Sequence, residues 1–427
     1  MIVDQKKPFS SLTADVDRRP GGSRWQSVRN VGRAHLRDTS FPGPKTEDWR
    51  FTNVAPILTT SFEWPATVTV DPTILPSPCA PNAVRLTFVN GAFDPKLSQV
   101  GNLGSGILLG HLSDPGTSAD IVATHLGKIA NANDQAFTAL NTALLNDGAF
   151  LIVPANAVVD RPIEILYLTQ PGIKAETAQT RTLVVLGRHA QATVVERFVG
   201  LGEGRAFTNA VAEIVLDEGA ILDHVKSQQE NLQTFHIANT QIVQARGSNF
   251  TTHSLLLGGA LVRNEVRVRF DGEGCEATVN GLYLARGTQH VDSHTVIDHA
   301  KAHCNSHELY KGVLADKAHG VFNGKIFVRK DAQKTDAKQT NKVLLLSDDA
   351  TINTKPQLEI FADDVKCTHG ATIGQLDDNQ IFYLRSRGIG LEEGRRLLTF
   401  AFANDVVSRI KLEAIRDEME AILVGVG

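Results

Sequence analysis

Three stretches in the middle of the chain share one pattern: VAEIVLDEGAILDHV at residues 211–225, NTQIVQARGSNFTTH at 239–253 and VRVRFDGEGCEATVN at 266–280. Each begins with a run rich in β-branched residues, passes through a turn at Gly219, Gly247 or Gly274, and continues into a second run. β-Branched residues favour strands, and glycine favours turns. The turns recur at separations of 28 and 27 residues, and Arg188-His189-Ala190 lies about one period earlier. A period of this length is typical of solenoids.

The same strand-rich texture extends from Ala149 to about Gly374. It predicts a mainly β protein whose core is a parallel β-solenoid, in which each strand hydrogen-bonds to the equivalent strand one coil away. A β-sandwich is the alternative, but it needs tight hairpins about every 8 to 12 residues. Hairpin signals such as Asn90-Gly91 and Asn280-Gly281 are sparse. The solenoid is therefore the favoured fold.

Helical regions are predicted on both sides of the core, which spans residues 148–377. Residues 1–147 are mostly helical in this interpretation. One helix is predicted over Ser23–Arg37 and another over Ser118–Leu145. In the second, apolar residues recur at helical spacing and Gly148 follows as a stop signal. A short strand is predicted between them at Val84–Val89.

Residues 378–427 form the predicted carboxy-terminal helical region. Its last helix places apolar side chains near one stripe: Val407, Ile410, Ile415, Met419 and Ile422. Such a stripe needs an apolar surface to cover. From these residues alone, packing on the end of the solenoid is favoured over binding in a groove of a partner.

Composition narrows the class of protein. The chain has 427 residues, with 43 Lys and Arg against 47 Asp and Glu, and its formal net charge of -4 argues against a nucleic-acid partner. Its four cysteines are scattered without a C-x-x-C pair, which suits the reducing cytosol. The polar segment Met1–Asp17 is unlike an export signal, and no apolar stretch approaches the ~20 residues that span a bilayer. We expect a cytoplasmic protein with no membrane segment.

The segment Lys366-Cys367-Thr368-His369-Gly370 is the sharpest local signal for chemistry. In a strand, residues two apart point to the same face, so Cys367 and His369 are expected side by side. A thiolate with an imidazole suits iron or zinc. Two ligands do not complete a metal site, so the other donors must come from elsewhere. A buried cysteine beside a structural histidine is the alternative, and these residues by themselves favour it.

Five histidines crowd one short segment: His290, His294, His299, His303 and His307. The last three are separated by even intervals, so they would share a face if that segment were a single strand. His299, His303 and His307 are therefore weaker metal candidates. Structural histidines that are partly exposed or hydrogen-bonded remain the favoured interpretation.

Paired acids support an alternative function. Asp348-Asp349 and Asp363-Asp364 could serve as acid and base in a carbohydrate-active β-helix enzyme. Each pair stands where a predicted strand ends, and aspartate is a favoured turn residue, which gives a sufficient local reason for its presence.

Long ordered strings fill the last third of the chain: KGVL at 311–314, GVFNG at 320–324, AQKTDAKQ at 332–339, LLLS at 344–347, NTKPQLEI at 353–360, VKCTHGAT at 365–372 and FYLRSRGI at 382–389. Together they resemble the SufB/SufD family of iron–sulfur cluster assembly proteins. KTEDWRFT at 45–52 is similar to the family's short tryptophan motif. Cys-Thr-His-Gly at 367–370 resembles the SufD branch, because SufB chains usually carry a Glu-His-Glu-Ala type of sequence there.

The resemblance implies a right-handed parallel β-helix with helical ends. It also implies a complex with a SufB-like paralogue and two copies of a SufC-like ABC-type ATPase, so we expect a scaffold subunit rather than an enzyme. His369 is implied to lie at the SufB interface where the nascent cluster forms, with Cys367 as its neighbouring thiol. Iron or an iron–sulfur cluster is then bound transiently in the complex, and none is expected in the isolated chain. The implied docking site for the ATPase is Arg395, Arg396, Leu397, Phe400 and Phe402.

Uncovered strand edges invite pairing, so we expect a homodimer when the SufB-like chain is absent. A homodimeric scaffold that holds no metal is a third class of function. It would leave Cys367 and His369 dispensable.

Overall fold

A computed structural model describes residues 9–18, 24–130 and 135–426 of the chain. Within these residues the α-helices are α1 Ser10–Asp15, α2 Gln26–Asp38, α3 Ala55–Thr59, α4 Ala119–His125, α5 Ala136–Ala143, α6 Asp378–Ser386, α7 Leu391–Val407 and α8 Glu413–Val424. The strands are β1 Val84–Val89, β2 Ala92–Phe93, β3 Leu108–His111, β4 Ala149–Val153, β5 Ile163–Thr169, β6 Glu176–Leu186, β7 Gln191–Gly200, β8 Ala206–Leu216, β9 Ile221–Gln229, β10 Phe235–Gln244, β11 Asn249–Leu256, β12 Leu261–Phe270, β13 Glu276–Ala285, β14 His290–His299, β15 Asn305–Leu314, β16 His319–Val328, β17 Asp336–Leu345, β18 Thr351–Ile360 and β19 Lys366–Gly374.

These strands form two sheets. One has ten strands in the order β19-β17-β15-β13-β11-β9-β7-β5-β1-β2, and the other has nine in the order β18-β16-β14-β12-β10-β8-β6-β4-β3. From β4 onward, successive strands alternate between the sheets, so each coil contributes one strand to each of them. The result is a β-solenoid of ~8 turns, and the predicted mainly β solenoid is confirmed.

The turns between coils stack on one another, as their spacing in the sequence predicts. The backbone amides of His189, Gly219 and Gly247 each donate to a carbonyl oxygen in the turn one coil further on, at 2.8–2.9 Å. These three residues have φ values of 56°, 66° and 64°. A left-handed backbone favours glycine, which explains why glycine recurs at this position.

The main apolar core lies between the two sheets and includes Phe250, Phe270 and Phe322. Part of the outer face of each sheet is also covered. Phe207 and Phe235 of the nine-stranded sheet pack with apolar residues of the amino-terminal region. The outer face of the ten-stranded sheet packs against α7 and α8. Two flanking layers therefore shield part of each flat face of the solenoid.

The amino-terminal region contains one predicted helix and joins the solenoid directly. Helix α2 (Gln26–Asp38) matches the predicted helix, whose first residue, Ser23, lies outside the described residues. The predicted strand Val84–Val89 is β1, and it pairs in parallel with β5. The ten-stranded sheet thus extends across residue 148, the expected start of the core.

The prediction of one helix over Ser118–Leu145 was wrong. Helix α4 ends at His125 and α5 begins at Ala136, while residues 131–134 lie outside the described residues. The break has a tertiary cause. The backbone amides of Gly127, Ile129 and Ala130 donate to the carboxylate of Glu213 on β8, at 2.8, 3.0 and 3.2 Å. These amides therefore bond to a side chain of the sheet, whereas in a continuous helix they would bond to backbone carbonyl oxygens one turn earlier.

The carboxy-terminal stripe packs within the chain, but on a different surface from the predicted one. Val407, Ile410, Ile415 and Met419 are buried against the outer face of the ten-stranded sheet rather than on the end of the solenoid. An ion pair supports this contact, because Arg197 Nη2 of β7 reaches Glu418 Oε2 of α8 at 2.8 Å.

Among the described residues, no helix is long and apolar enough to cross a membrane. The segment Met1–Asp17, which argued against an export signal, falls partly outside the described residues, because these begin at Phe9.

Candidate functional site

The two sheets end differently at the two ends of the solenoid. At the carboxy-terminal end, the last strands are β18 and β19, with 10 and 9 residues. At the other end, the sheets finish with the short antiparallel strands β2 and β3, of 2 and 4 residues. Short edge strands resist pairing with other chains, and long ones invite it. We call the edge formed by β18 and β19 the open end.

Cys367 and His369 lie on β19 at the open end. In the register between β17 and β19, they stand opposite Ala337 and Gln339, which are buried inside the solenoid. They therefore occupy inward-facing positions in a coil that no further strand covers among the residues that the structure describes. Cys367 is half-buried and His369 is exposed. A partner strand laid along β19 would cover both side chains.

A polar row leads from His369 into the solenoid. Gln339 stands opposite His369 on one side and opposite Glu308 on the other, and its side-chain amide donates to Glu308 Oε2 at 2.9 Å. Thr295 donates to Glu308 Oε1 at 2.6 Å. Burial nevertheless raises the pKa of Glu308 to about 7, because the two hydrogen bonds offset only part of the lost hydration. The interior behind the open end thus holds a group that titrates near neutral pH.

Partial burial affects the thiol of Cys367. It raises the pKa of this thiol above its usual range, and the nearby charge of Asp336 raises it further. Among the described residues, no group of three or more His, Cys, Asp or Glu side chains is arranged to hold a metal ion. Cys367 and His369 supply a thiol and an imidazole, which are ligand types that iron and zinc accept.

The three weaker histidine candidates do not share a strand. His299 is the last residue of β14 in the nine-stranded sheet, His303 lies in the following turn with φ 60°, and His307 is on β15 in the other sheet. The three histidines would share a face only on a single strand, so they do not form a common site. His299 is fully buried, and its Nε2 lies 2.9 Å from Ser306 Oγ. Burial lowers the pKa of His299 to about 4, which identifies a neutral structural histidine.

The paired acids are too far apart to act together. Asp348 and Asp349 lie in the turn before β18, and Asp363 and Asp364 lie in the turn after it. The 10 residues of β18 separate these turns by about 30 Å at the usual rise per residue. Glycosidases need carboxyl groups about 5 to 10 Å apart. This geometry argues against the carbohydrate-active alternative with acids from both pairs.

The predicted docking residues on α7 divide into two groups. Arg396 and Leu397 are exposed, so they are free to meet another chain. Phe402 is partly buried, because Lys311 lies over its ring with Nζ 4.6 Å from the centroid. Arg395 and Phe400 are also partly buried. The exposed part of α7 is therefore smaller than the predicted site.

Sequence patterns missed several exposed apolar side chains near both candidate surfaces. Phe382 and Tyr383 on α6 are 74% and 58% exposed. At the open end, Phe361 and Ile373 are 59% and 47% exposed. Hydrophobic periodicity could not single them out, because it does not distinguish a core position from a surface one. Exposed apolar patches are typical of surfaces that contact other proteins.

These features define a β-solenoid scaffold with an unpaired end. The family described as "SUF system FeS cluster assembly, SufBD core domain" matches residues 167–402, and "SufBD protein N-terminal region" matches residues 22–165. The chain belongs to the SufBD family, and the predicted resemblance is confirmed.

Curated relatives agree over nearly the full length. The iron–sulfur cluster assembly protein SufD of Escherichia coli is 34% identical over 393 residues, covering 90% of this chain and 89% of the relative. An iron–sulfur cluster assembly SufBD family protein of Synechocystis is also 34% identical, over 395 residues, covering 90% of this chain and 87% of the relative. The chloroplastic protein ABCI7 of Arabidopsis thaliana is 29% identical over 403 residues, covering 92% of this chain and 84% of the relative.

Proposed function

We propose that this chain is a SufD-like scaffold subunit that works in the cytosol in a complex with a SufB-like paralogue and a SufC-like ATPase. The nascent iron–sulfur cluster is the cargo of this complex, and the ATPase activity belongs to the partner chain. The observation that carries the proposal is the open end, where no other described strand pairs with the outer edges of β18 and β19, beside Cys367 and His369.

The open end suits pairing with a paralogous solenoid. A second chain of the same fold could add one strand to each sheet and extend both ladders through backbone hydrogen bonds. The inward-facing side chains of the last coil would then become buried, including Ile373, which stands opposite buried Val343. This burial supplies the apolar contact that strand pairing alone lacks.

His369 and Cys367 contribute to the cluster site in this arrangement. The exposed imidazole of His369 supplies one ligand, and the half-buried thiol of Cys367 is auxiliary. The SufB-like chain must supply the remaining donors. A site divided between two chains stays incomplete until they pair, so cluster formation depends on assembly.

Exposed parts of α6 and α7 form the proposed docking surface for the ATPase. Phe382 and Leu397 are 74% and 45% exposed on these helices. The rest of the carboxy-terminal region is held firmly on the ten-stranded sheet. Movement of the bound ATPase would therefore be passed to the solenoid rather than absorbed by loose helices.

The test is co-expression of the chain with the SufB-like and SufC-like proteins of its own organism, followed by gel filtration with light scattering. We expect one peak that contains all three chains. Substitutions Phe361→Asp and Ile373→Asp at the open end should release the SufB-like chain. Phe382→Asp and Leu397→Asp should release the ATPase but leave the paralogue bound.

Leu232→Asp is the matched control, because Leu232 is 59% exposed in the turn between β9 and β10, and β10 is four strands away from β18 in the nine-stranded sheet. This variant should bind both partners normally. Elution of the unmodified chain by itself would refute the proposed complex. Equal loss of partners from the control would show that added charge, rather than the chosen surface, causes the effect.

A further inference from the structure

Two histidines on the nine-stranded sheet face each other through the same ring atom. His290 begins β14 and His319 begins β16, and the two residues are directly opposite in the parallel register. Their Nδ1 atoms are 3.2 Å apart, and their rings are inclined at 74°. Both residues are partly exposed to solvent.

The hydrogen bond made by the other ring nitrogen of His319, Nε2, determines the tautomer of this histidine. His319 Nε2 lies 2.7 Å from Asn353 Oδ1 on β18. An amide oxygen can only accept a hydrogen bond. Nε2 must therefore carry the proton, and Nδ1 of the neutral ring presents a lone pair toward His290.

The same argument applies to His290. Its Nε2 lies 2.9 Å from Thr52 Oγ1, and Thr52 Oγ1 lies 2.5 Å from Asp292 Oδ2. The carboxylate, which also accepts from Arg263 Nη1 at 2.6 Å, takes the single hydroxyl proton of Thr52. His290 Nε2 then donates to Thr52 Oγ1. In the neutral ring, Nδ1 of His290 likewise presents a lone pair.

Two lone pairs at 3.2 Å repel each other unless a cation lies between them. A tetrahedral zinc ion holds its nitrogen ligands at about 2.0–2.1 Å, which places two of them about 3.3 Å apart. We infer that His290 and His319 form a binding site for a divalent transition-metal ion through their Nδ1 atoms. Imidazole suits zinc, iron, nickel and copper, and water completes the coordination.

Thr52 and Asn353 hold the two rings in the tautomer that binds a metal, as the partners of ligand histidines commonly do. They also connect the site to two other parts of the molecule. Thr52 ends the KTEDWRFT segment, and Asn353 belongs to β18 at the open end. A bound metal ion would thus fasten the amino-terminal segment to the last coils of the solenoid.

This site is independent of the proposed function. Cys367 and His369 lie on β19 in the ten-stranded sheet, whereas His290 and His319 lie in the nine-stranded sheet. The test uses the full chain with Cys367→Ser and His369→Ala, so that these two donors do not contribute. The probes are Co²⁺ followed by visible absorption and Zn²⁺ followed by calorimetry. We expect one equivalent of each ion, with cobalt bands typical of nitrogen ligands.

Substitution of either ligand, His290→Gln or His319→Gln, should weaken Zn²⁺ binding at least tenfold and remove the cobalt bands. His307→Gln is the matched control, because it removes an exposed histidine from the ten-stranded sheet and should bind normally. Thr52→Val and Asn353→Ala keep both ligands and should weaken binding by about 10- to 100-fold. These two variants keep the test decisive if a ligand variant fails to fold.

Unchanged Zn²⁺ affinity in both ligand variants would overturn the inference. No saturable binding of either ion would also overturn it, since the two rings would then share a proton only. Neither result would affect the proposed complex, whose assembly is measured separately by light scattering.

Discussion

Glu308 is a single residue whose ionisation should control the stability of the protein. It is fully enclosed in the solenoid, and burial raises its pKa to about 7. An unfolded glutamate has a pKa near 4.3. Between these two values the folded protein keeps a proton that the unfolded chain has lost. The free energy of unfolding must therefore fall as pH rises through this window, and then level off.

We predict that Glu308→Gln removes this pH dependence. The difference in free energy of unfolding between the variant and the unmodified protein should change in favour of the variant by on the order of 3 kcal/mol from pH 4 to pH 8. This is the free-energy equivalent of the pKa shift of Glu308. Chemical denaturation at a series of pH values measures it. Glu203→Gln, in an exposed loop, should leave the profile unchanged. Parallel profiles for the Glu308 variant and the unmodified protein would contradict the prediction.

The exposed imidazole of His369 should matter for cluster formation and not for assembly. We expect His369→Ala to leave the complex intact and to lower the yield of reconstituted cluster by roughly tenfold or more, as the loss of an important metal-site group does. Cys367→Ser should have a smaller effect, because the proposed site gives that thiol only an auxiliary role. Absorption of the purified complex measures the yield, and His307→Ala is the control. A normal yield from the His369 variant would refute its role as a ligand.

At the scale of elements, Gly32 determines how closely α2 packs on α5. A Cβ atom at this position would lie 2.4 Å from Ala143 N and 2.8 Å from Ala139 O, both of which are backbone atoms of α5. Backbone cannot move aside as a flexible side chain does, so the two helices would have to separate. The close approach depends on the absence of a side chain at Gly32.

Gly32→Ala should therefore lower the free energy of unfolding by about 1–3 kcal/mol, the usual cost of overpacking. Gly394 in α7 provides a matched control, because its nearest neighbour would be Leu384 Cδ1 at 3.6 Å, an ordinary contact. There the higher helix propensity of alanine should raise stability by up to about 1 kcal/mol. Urea denaturation of both variants checks the prediction. Equal effects at the two positions would show that packing on α5 is not the cause.

For the whole molecule, the open end predicts self-association when the paralogue is absent. Two copies can place their β18 and β19 edges together in the same way as the proposed partner. We expect light scattering to give twice the 46.3 kDa chain mass at micromolar concentration. Phe361→Asp and Ile373→Asp should shift the mass to that of a monomer, whereas Leu232→Asp should not. A monomer at all concentrations would contradict this prediction.

Much of the architecture was predictable because it depends on local preferences. Glycine in the left-handed turns and β-branched runs between them identified the solenoid, and the strand alternation put Cys367 and His369 on one side of β19. The single helix over Ser118–Leu145 was a wrong prediction, because apolar spacing carries no information about the carboxylate of Glu213. Most of the carboxy-terminal stripe is buried as expected, but the single last helix predicted for it was wrong, because α7 ends at Val407 and α8 begins at Glu413. The sheet face that the stripe covers was not predicted either.

The sequence by itself determined the repeat, the family and the thiol–imidazole pair, since each depends on residues that are close along the chain. Only the tertiary structure decided which strands remain uncovered and which distant side chains meet. His290 and His319 are 29 residues apart, and they face each other because consecutive coils are stacked in register. The high pKa of Glu308 likewise requires an enclosed interior. Such contacts arise from the stacking of whole coils, which no short sequence pattern specifies.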